Sequence, residues 1–155
     1  DDAARDAGGS GFGNIRIKHA TAPVLNGDFV FQWKQVGDGE AATSTSWGMY
    51  DIAEDSTWGS TAHKMNLHTM TSSYWFEMDG TGTFETRSAG TGLTSGISFS
   101  VNDIFKYQRT GTSLKLLVGD VEKQEWTSVS ASLRFCISGF NSNEKANIED
   151  VQFQN

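Results

Sequence analysis

Apolar residues recur at every second position along most of this chain, and this period restricts the fold more than any other feature. Phe29, Phe31 and Trp33 alternate with Val30, Gln32 and Lys34. The same alternation appears in residues 15–18, 74–78, 97–101, 114–118 and 133–137. Successive side chains of an extended strand point to opposite faces, so a two-residue period predicts strands with one buried face. Because no stretch shows a sustained helical period, the chain is predicted to be all-β.

Turns divide the chain into segments of strand length. The sequence has 17 glycines and one proline, and glycine-containing turns are predicted at residues 79–82, 110–112 and 119–120. The spacing gives roughly ten to twelve short strands, more than a single open sheet can cover on both faces. We therefore predict two packed antiparallel sheets, a β-sandwich of the jelly-roll type. A length of 155 residues suits one domain with its own core.

The first 14 residues differ from the rest. Gly8, Gly9, Gly11 and Gly13 give the backbone too much conformational freedom for a stable element, and Phe12 is the one large apolar side chain there. Residues 1–14 are predicted to form a flexible Gly-rich arm that reaches this domain or a neighbouring subunit. Residues 15–155 are predicted to form the sandwich.

Charge narrows the classes of partner. Nineteen acidic residues oppose twelve Lys and Arg, for a formal net charge of −7. This balance argues against nucleic acid and against anionic membrane surfaces, which both require basic faces. No apolar run reaches the length of a membrane span. The acidic charge is compatible with a soluble protein, with calcium binding and with the binding of a neutral ligand such as a glycan. Cys136 is the one cysteine, so no intrachain disulfide forms.

The second half of the chain has a recognisable rhythm of strands and turns. An aspartate, Asp103, precedes a strand, then the turn Arg109-Thr110-Gly111, then another strand and two long closing segments. The segments are residues 97–103, 105–112, 114–116, 133–140 and 146–153. This rhythm resembles the laminin-G and concanavalin-like jelly-roll superfamily, and it spans residues 15–153. Members bind glycans, bind proteins, cut polysaccharides or build virion appendages and capsid decorations, so the resemblance implies the fold and leaves the role open.

Catalysis is not predicted. Sugar-cleaving members of the superfamily carry Glu-x-Asp-x-x-Glu or a close variant on one strand, which gathers carboxylates on one face. No such motif occurs here. Glu54 and Asp55 are adjacent, as are Glu149 and Asp150, and neighbours on a strand point to opposite faces. These carboxylates are interpreted as solvated groups, and the protein is predicted not to be an enzyme.

Aromatic residues are the best functional lead. Trp58 and Trp75 lie in or near polar segments, and Tyr50 lies close to an acidic loop. Tryptophan and tyrosine rings stack on sugars because they combine an apolar face with a polar rim. We predict glycan binding by Trp58, Trp75 and Tyr50. A role in the core is the alternative, since most tryptophans in a sandwich of this size are buried.

A calcium site is a weaker hypothesis. Asp51, Glu54 and Asp55 cluster in one predicted loop, and oxygen ligands spaced along a loop can hold calcium. The ligand pattern is incomplete, so an ordinary acidic loop is the alternative. His63 and His68 are five residues apart, which places them on opposite faces of a strand and makes them poor co-ligands. No other cofactor is predicted.

Three functional hypotheses follow. The first is a non-catalytic structural or recognition subunit of a virion or other extracellular assembly, whose partners are copies of itself or other subunits. The second is a carbohydrate-binding module that stacks aromatic rings on a cell-surface glycan. The third, ranked last because a carboxylate array is missing, is a polysaccharide-cleaving enzyme. The predicted location is extracellular or on a virion surface.

Overall fold

Strands make up nearly all of the regular structure. The computed structural model describes residues 4–5, 15–17, 24–36, 45–54, 67–78, 80–139 and 148–154. The strands, numbered in chain order, are β1 Ala4–Arg5, β2 Ile15–Ile17, β3 Leu25–Asn26, β4 Phe29–Gln35, β5 Thr45–Asp51, β6 Ser73–Met78, β7 Thr83–Ser88, β8 Thr91–Ser98, β9 Ile104–Thr110, β10 Ser113–Val118, β11 Val121–Trp126, β12 Ser132–Gly139 and β13 Ile148–Gln154. A 3₁₀ helix, Ile52–Glu54, follows β5. The all-β prediction is confirmed, and in these residues no helix has the length and apolar character needed to cross a membrane.

The strands form two antiparallel sheets. Within the described ranges one sheet has eight strands, in the order β1-β2-β12-β5-β6-β7-β8 with β3 also paired to β12. The other has five strands, in the order β11-β10-β9-β4-β13. The predicted two-sheet antiparallel β-sandwich is therefore confirmed.

The core between the sheets is built around Trp33 of β4. Its ring lies 5.9 Å from that of Trp47 and 6.2 Å from that of Phe76, both on the eight-stranded sheet, and is nearly parallel to each. Phe105 of β9 stacks at 5.7 Å. The predicted alternation appears directly in β9 and β10, where every second side chain is buried. Large apolar groups on the two inner faces thus hold the sheets together.

The Arg-x-Gly turn of the superfamily rhythm has a clear structural role here. Arg109 is almost fully buried, and its guanidinium donates hydrogen bonds to the carbonyl oxygens of Gly111 at 2.9 Å and Ala131 at 2.7 Å. Gly111 has a φ of +59°, a conformation that favours glycine. The turn between β9 and β10 is therefore tied to the segment before β12.

Several local predictions need correction. Two strands, β7 and β11, were not predicted, and β8 lies at Thr91–Ser98 rather than at residues 97–101. The last strand is irregular, because the pairing of β13 with β4 shifts between Glu149 and Gln152.

The arm is described in part. Ala4–Arg5 form β1, which pairs with β2 through Ala4 with Arg16 and Arg5 with Ile15. Backbone pairing joins these two residues to the edge of the eight-stranded sheet. Gly8, Gly9, Gly11, Phe12 and Gly13 lie outside the described residues, and their role in assembly stays a prediction.

Candidate functional site

Polar side chains gather on the outer face of the eight-stranded sheet, the face turned away from the core. The register of β5, β6 and β7 places Ser46, Glu77 and Glu85 in one row across three strands. Gly48, Trp75 and Arg87 form the adjacent row. These positions alternate with core residues such as Trp47 and Phe76, so strand geometry directs them outward.

Gly48 allows Trp75 to pack tightly across this face. A Cβ at Gly48 would lie 2.2 Å from the Cβ of Trp75 and 2.7 Å from the carbonyl oxygen of Tyr74, distances that real atoms do not adopt. Trp75 is completely buried, and its indole N–H has no hydrogen-bond partner among the described residues. Apolar packing and the side chains of His68 and Arg87 therefore hold the Trp75 ring in place.

Arg87 connects the two rows. Its Nε lies 3.3 Å from Oε2 of Glu77, its Nη2 forms an ion pair with Glu85, and its Nη1 donates to the carbonyl oxygen of Gly90 at 3.3 Å. The guanidinium carbon also lies 5.3 Å from the centre of the Trp75 ring, a cation–π geometry. Arg87 thus bridges the two carboxylates through its ion pairs and fixes their positions.

His68 covers the other side of the cluster. Its ring centre is 4.2 Å from that of Trp75, and Nε2 lies 3.4 Å from Oγ of Ser46 and 3.6 Å from Oε2 of Glu77. Burial, and then the nearby positive charge of Arg87, lower the pKa of His68 to about 4. The imidazole is therefore neutral at pH 7, and its contact with Glu77 is not an ion pair there.

A depression of about 180 Å³ opens beside this cluster. Its lining consists of Glu77, Thr83, Phe84, Glu85, Ser95 and Gly96. Of the two carboxylates, Glu85 is the more accessible, with 31% of its side chain exposed against 11% for Glu77. The depression is therefore lined by carboxylate and hydroxyl oxygens, an arrangement suited to a ligand rich in hydroxyl donors.

Two of the residues predicted to stack on a sugar do not have an exposed ring. Trp75 and Tyr50 are both 0% exposed, and they pack with Leu67, Met70 and Cys136 in a second apolar cluster on this sheet. In this conformation neither ring presents a face to a ligand. Trp58 lies outside the described residues.

The predicted calcium ligands have other partners. Oε1 of Glu54 accepts hydrogen bonds from the backbone N–H of Thr71 and Ser72 and from the Thr71 hydroxyl, at 2.6–3.0 Å. Oδ1 of Asp51 accepts from the N–H of Ala53 at 2.9 Å. Asp55 is outside the described residues, and no group of three or more His, Cys, Asp or Glu suited to a metal occurs within them. Glu54 thus ties the 3₁₀ helix to the segment before β6.

Glu77, Glu85 and Arg87 were not predicted as site residues. The catalytic motif of the superfamily gathers its carboxylates on one strand, whereas this pair forms between two strands. The available signal was the alternation of Phe84 and Thr86 with the two charged residues directly after a strong turn. That pattern predicts a hairpin of β6 and β7, and the hairpin brings the two glutamates opposite each other.

Comparison with known proteins bears on the fold. No protein-family model and no curated protein sequence matches the chain. Among solved structures, it is similar to carbohydrate-binding module CBM66 from Bacillus subtilis, with 11% identity, coverage of 99% of this chain and 91% of that chain, and a TM-score of 0.53. This likeness concerns the fold, a jelly-roll β-sandwich.

Two further similarities are lower in TM-score. A toad ovary galectin in complex with thio-digalactose has 7% identity, coverage of 94% of this chain and 100% of that chain, and a TM-score of 0.49. A Bacillus licheniformis β-glucanase has 11% identity, coverage of 90% and 77%, and a TM-score of 0.49. No family model supports the narrower resemblance to laminin-G domains.

Proposed function

We propose that this chain is a non-catalytic glycan-binding domain, and that its ligand occupies the depression beside Glu77 and Glu85. The observation that carries the proposal is the carboxylate pair held by Arg87 on the wall of that depression. The fold is shared with a protein whose name is carbohydrate-binding module. Because a likeness at 11% identity concerns the fold alone, the chemistry of the site supplies the argument.

The chemistry suits sugar hydroxyls. An ionised carboxylate has about four lone-pair sites, so Glu85, the more exposed of the pair, can accept hydrogen bonds from a ligand as well as from Arg87. Hydrogen bonds to charged groups are the stronger kind. Since Arg87 already fixes both carboxylates, less side-chain freedom is lost when the ligand binds. The volume of about 180 Å³ is below the roughly 300–1,000 Å³ typical of pockets that enclose a drug-sized ligand, so the depression suits one sugar ring of a longer glycan.

The other two hypotheses rank lower. The assembly role placed first from the sequence gains no support from the fold or from the contacts of the described residues. Polysaccharide cleavage requires an acid and a nucleophile or base flanking the bond. Here both glutamates are engaged by the same guanidinium, which suits recognition better than proton transfer.

Glycan binding is tested with an array of neutral oligosaccharides, followed by calorimetric titration of the best binder. Glu85→Gln removes one charged acceptor with little change in shape, and we expect it to weaken binding by about tenfold or more. Glu122→Gln, which makes the same charge change on β11 of the other sheet, is the matched control and is expected to bind as the parent does.

Two results would contradict the proposal. One is the absence of binding to any glycan on the array, and the other is an equal loss of affinity in both variants. Release of new reducing ends from a bound polysaccharide would instead identify a polysaccharide-cleaving enzyme.

A further inference from the structure

The outer face of the five-stranded sheet carries a second depression, on the side of the sandwich opposite the first. Its volume is about 240 Å³. The residues that line it are Asp28, Phe29, Val30, Gln108, Arg109, Thr110 and Gln154. The register of β13, β4 and β9 places Gln154, Val30 and Gln108 side by side in one cross-strand row. The row forms a floor with one apolar side chain between two amides.

The charged residues at this depression are already engaged. Asp28 accepts a hydrogen bond from the N–H of Gly111 at 2.7 Å, and buried Arg109 donates to two carbonyl oxygens. The polar groups that can meet a ligand are the second carboxylate oxygen of Asp28, the amides of Gln108 and Gln154 and the hydroxyl of Thr110. Each amide offers both donors and acceptors, and the amides and the hydroxyl carry no charge.

Three lysines of the surrounding face each pair with a carboxylate: Lys34 with Glu149 at 3.7 Å, Lys106 with Asp120 at 2.6 Å, and Lys115 with Glu122 at 2.8 Å. An anionic ligand would therefore find no unpaired ammonium group among these three. A neutral ring with hydroxyls at its rim and an apolar C–H face matches the amides and Val30.

We propose that this depression is a second sugar-binding site, one that takes a single neutral pyranose or furanose ring. The C–H face of the ring lies on Val30, while the amides of Gln108 and Gln154 exchange hydrogen bonds with its hydroxyls. The site is independent of the depression beside Glu85. Since the two outer faces point in opposite directions, one chain with both sites contacts two glycan strands.

The test is a ¹H–¹⁵N NMR titration of the full chain with three neutral single-ring probes: methyl β-glucopyranoside, methyl β-galactopyranoside and methyl β-fructofuranoside. We expect saturable shift changes at the backbone amides of Val30, Gln108, Thr110 and Gln154 with at least one probe. Gln108→Leu keeps the size of the side chain and removes its hydrogen bonds, and it should weaken binding at these residues by at least about fivefold.

Matched variants separate this site from other effects. Gln32→Leu removes the same kind of side chain from the neighbouring row, outside the depression, and should leave the affinity unchanged. Glu85→Gln should weaken binding at the first depression and leave the shifts at Val30 and Gln108 unchanged. The proposal is overturned if none of the three probes gives saturable shifts here, or if Gln108→Leu leaves the affinity intact. Either failure leaves the glycan site beside Glu85 unaffected.

Discussion

His68 shows how one side chain in this molecule responds to its surroundings. It lies between the Trp75 ring, the Ser46 hydroxyl and the Glu77 carboxylate, and only 17% of its side chain is exposed. Although a carboxylate is near, desolvation and the positive charge of Arg87 disfavour the protonated ring. The neutral imidazole therefore belongs to the packing of the cluster.

A pH dependence follows from this environment. The pKa of His68 is about 4 in the folded chain against an ordinary value near 6.5, so the unfolded chain binds more protons between those values. The stabilisation from the neutral ring is complete above about pH 6.5 and is lost as the pH falls toward 4. His68→Phe keeps a ring on Trp75 and removes the titration. Urea unfolding at several pH values should show a shallower acid decline in this variant, and parallel declines in the two proteins would refute the assignment.

Tyr107, in the core, is a second titratable side chain whose pKa is shifted by burial. Its hydroxyl, on β9, donates to the carbonyl oxygens of Trp47 at 3.1 Å and Tyr74 at 3.3 Å, on the opposing sheet. Burial raises its pKa well above the ordinary value. Because this pKa is raised, the protonated Tyr107 hydroxyl stabilises the folded chain below about pH 10, and this contribution is lost as the pH rises further.

Removing this hydroxyl should lower stability. We expect Tyr107→Phe to reduce the free energy of unfolding by about 1 kcal/mol at pH 7, the usual net value of a buried hydrogen bond. The variant should also lose less stability above pH 10 than the parent. Urea denaturation at pH 7 and pH 10.5 measures both effects, and an unchanged unfolding midpoint at pH 7 would show that the hydroxyl contributes nothing.

At the scale of elements, the hairpin of β6 and β7 builds the candidate site. Its inner face supplies Phe76, Met78 and Phe84 to the core, while its outer face carries Trp75, both glutamates and Arg87. The hairpin is also held from the other sheet: Trp126 of β11 donates to the carbonyl oxygen of Arg87 at 3.1 Å, and Gln124 accepts from Thr86 at 2.9 Å. The site geometry therefore depends on core packing.

The close approach of β5 to β6 can be tested with two glycines from one row. Gly48→Ala places a Cβ against the Cβ of Trp75 and the backbone oxygen of Tyr74, atoms that move only with the strand. We expect a loss of roughly 3 kcal/mol or more, at the upper end of the cost of overpacking. Gly92→Ala, at the β8 end of the row, meets no atom within 4 Å and should leave stability nearly unchanged. Similar unfolding midpoints for the two variants would contradict this account.

The net charge of the molecule affects which sugars can bind to it. The chain carries a formal net charge of −7, and the cluster itself has two carboxylates against one guanidinium. An anionic sugar entering the first depression would meet repulsion from Glu85 at short range and from the net charge at longer range. Both effects weaken as salt screens them.

If the first depression binds glycans as proposed, it should discriminate against acidic sugars. A ligand ending in glucuronate should bind at least about fivefold more weakly than its glucose-terminated counterpart at low salt, as expected from a contact repulsion near 1 kcal/mol. Glu85→Gln should reduce this difference. Calorimetric titration of both ligands at two salt concentrations provides the measurement, and equal affinities at low salt would argue against a carboxylate-lined site.

The amino-acid sequence by itself determined the strands and most of the core. Alternation is a local property, so residues 29–35 and 104–118 are recognisable without knowledge of their neighbours, and the resulting strand count requires two sheets. Hairpin turns such as the one at Gly111 are local for the same reason. The strand β7 was missed because its inward positions, Phe84 and Thr86, carry only one large apolar side chain.

The candidate site, by contrast, depends on contacts between segments that are distant in the chain. Alternation directs Trp75 and Tyr50 away from the core, but residues 67–70 of another segment cover that part of the face and bury both rings. Likewise, the pairing of Glu77 with Glu85 and the position of Arg87 depend on the register of β6 with β7. A side chain on an outer face has the same sequence period whether it is covered or open, because burial depends on what packs above it.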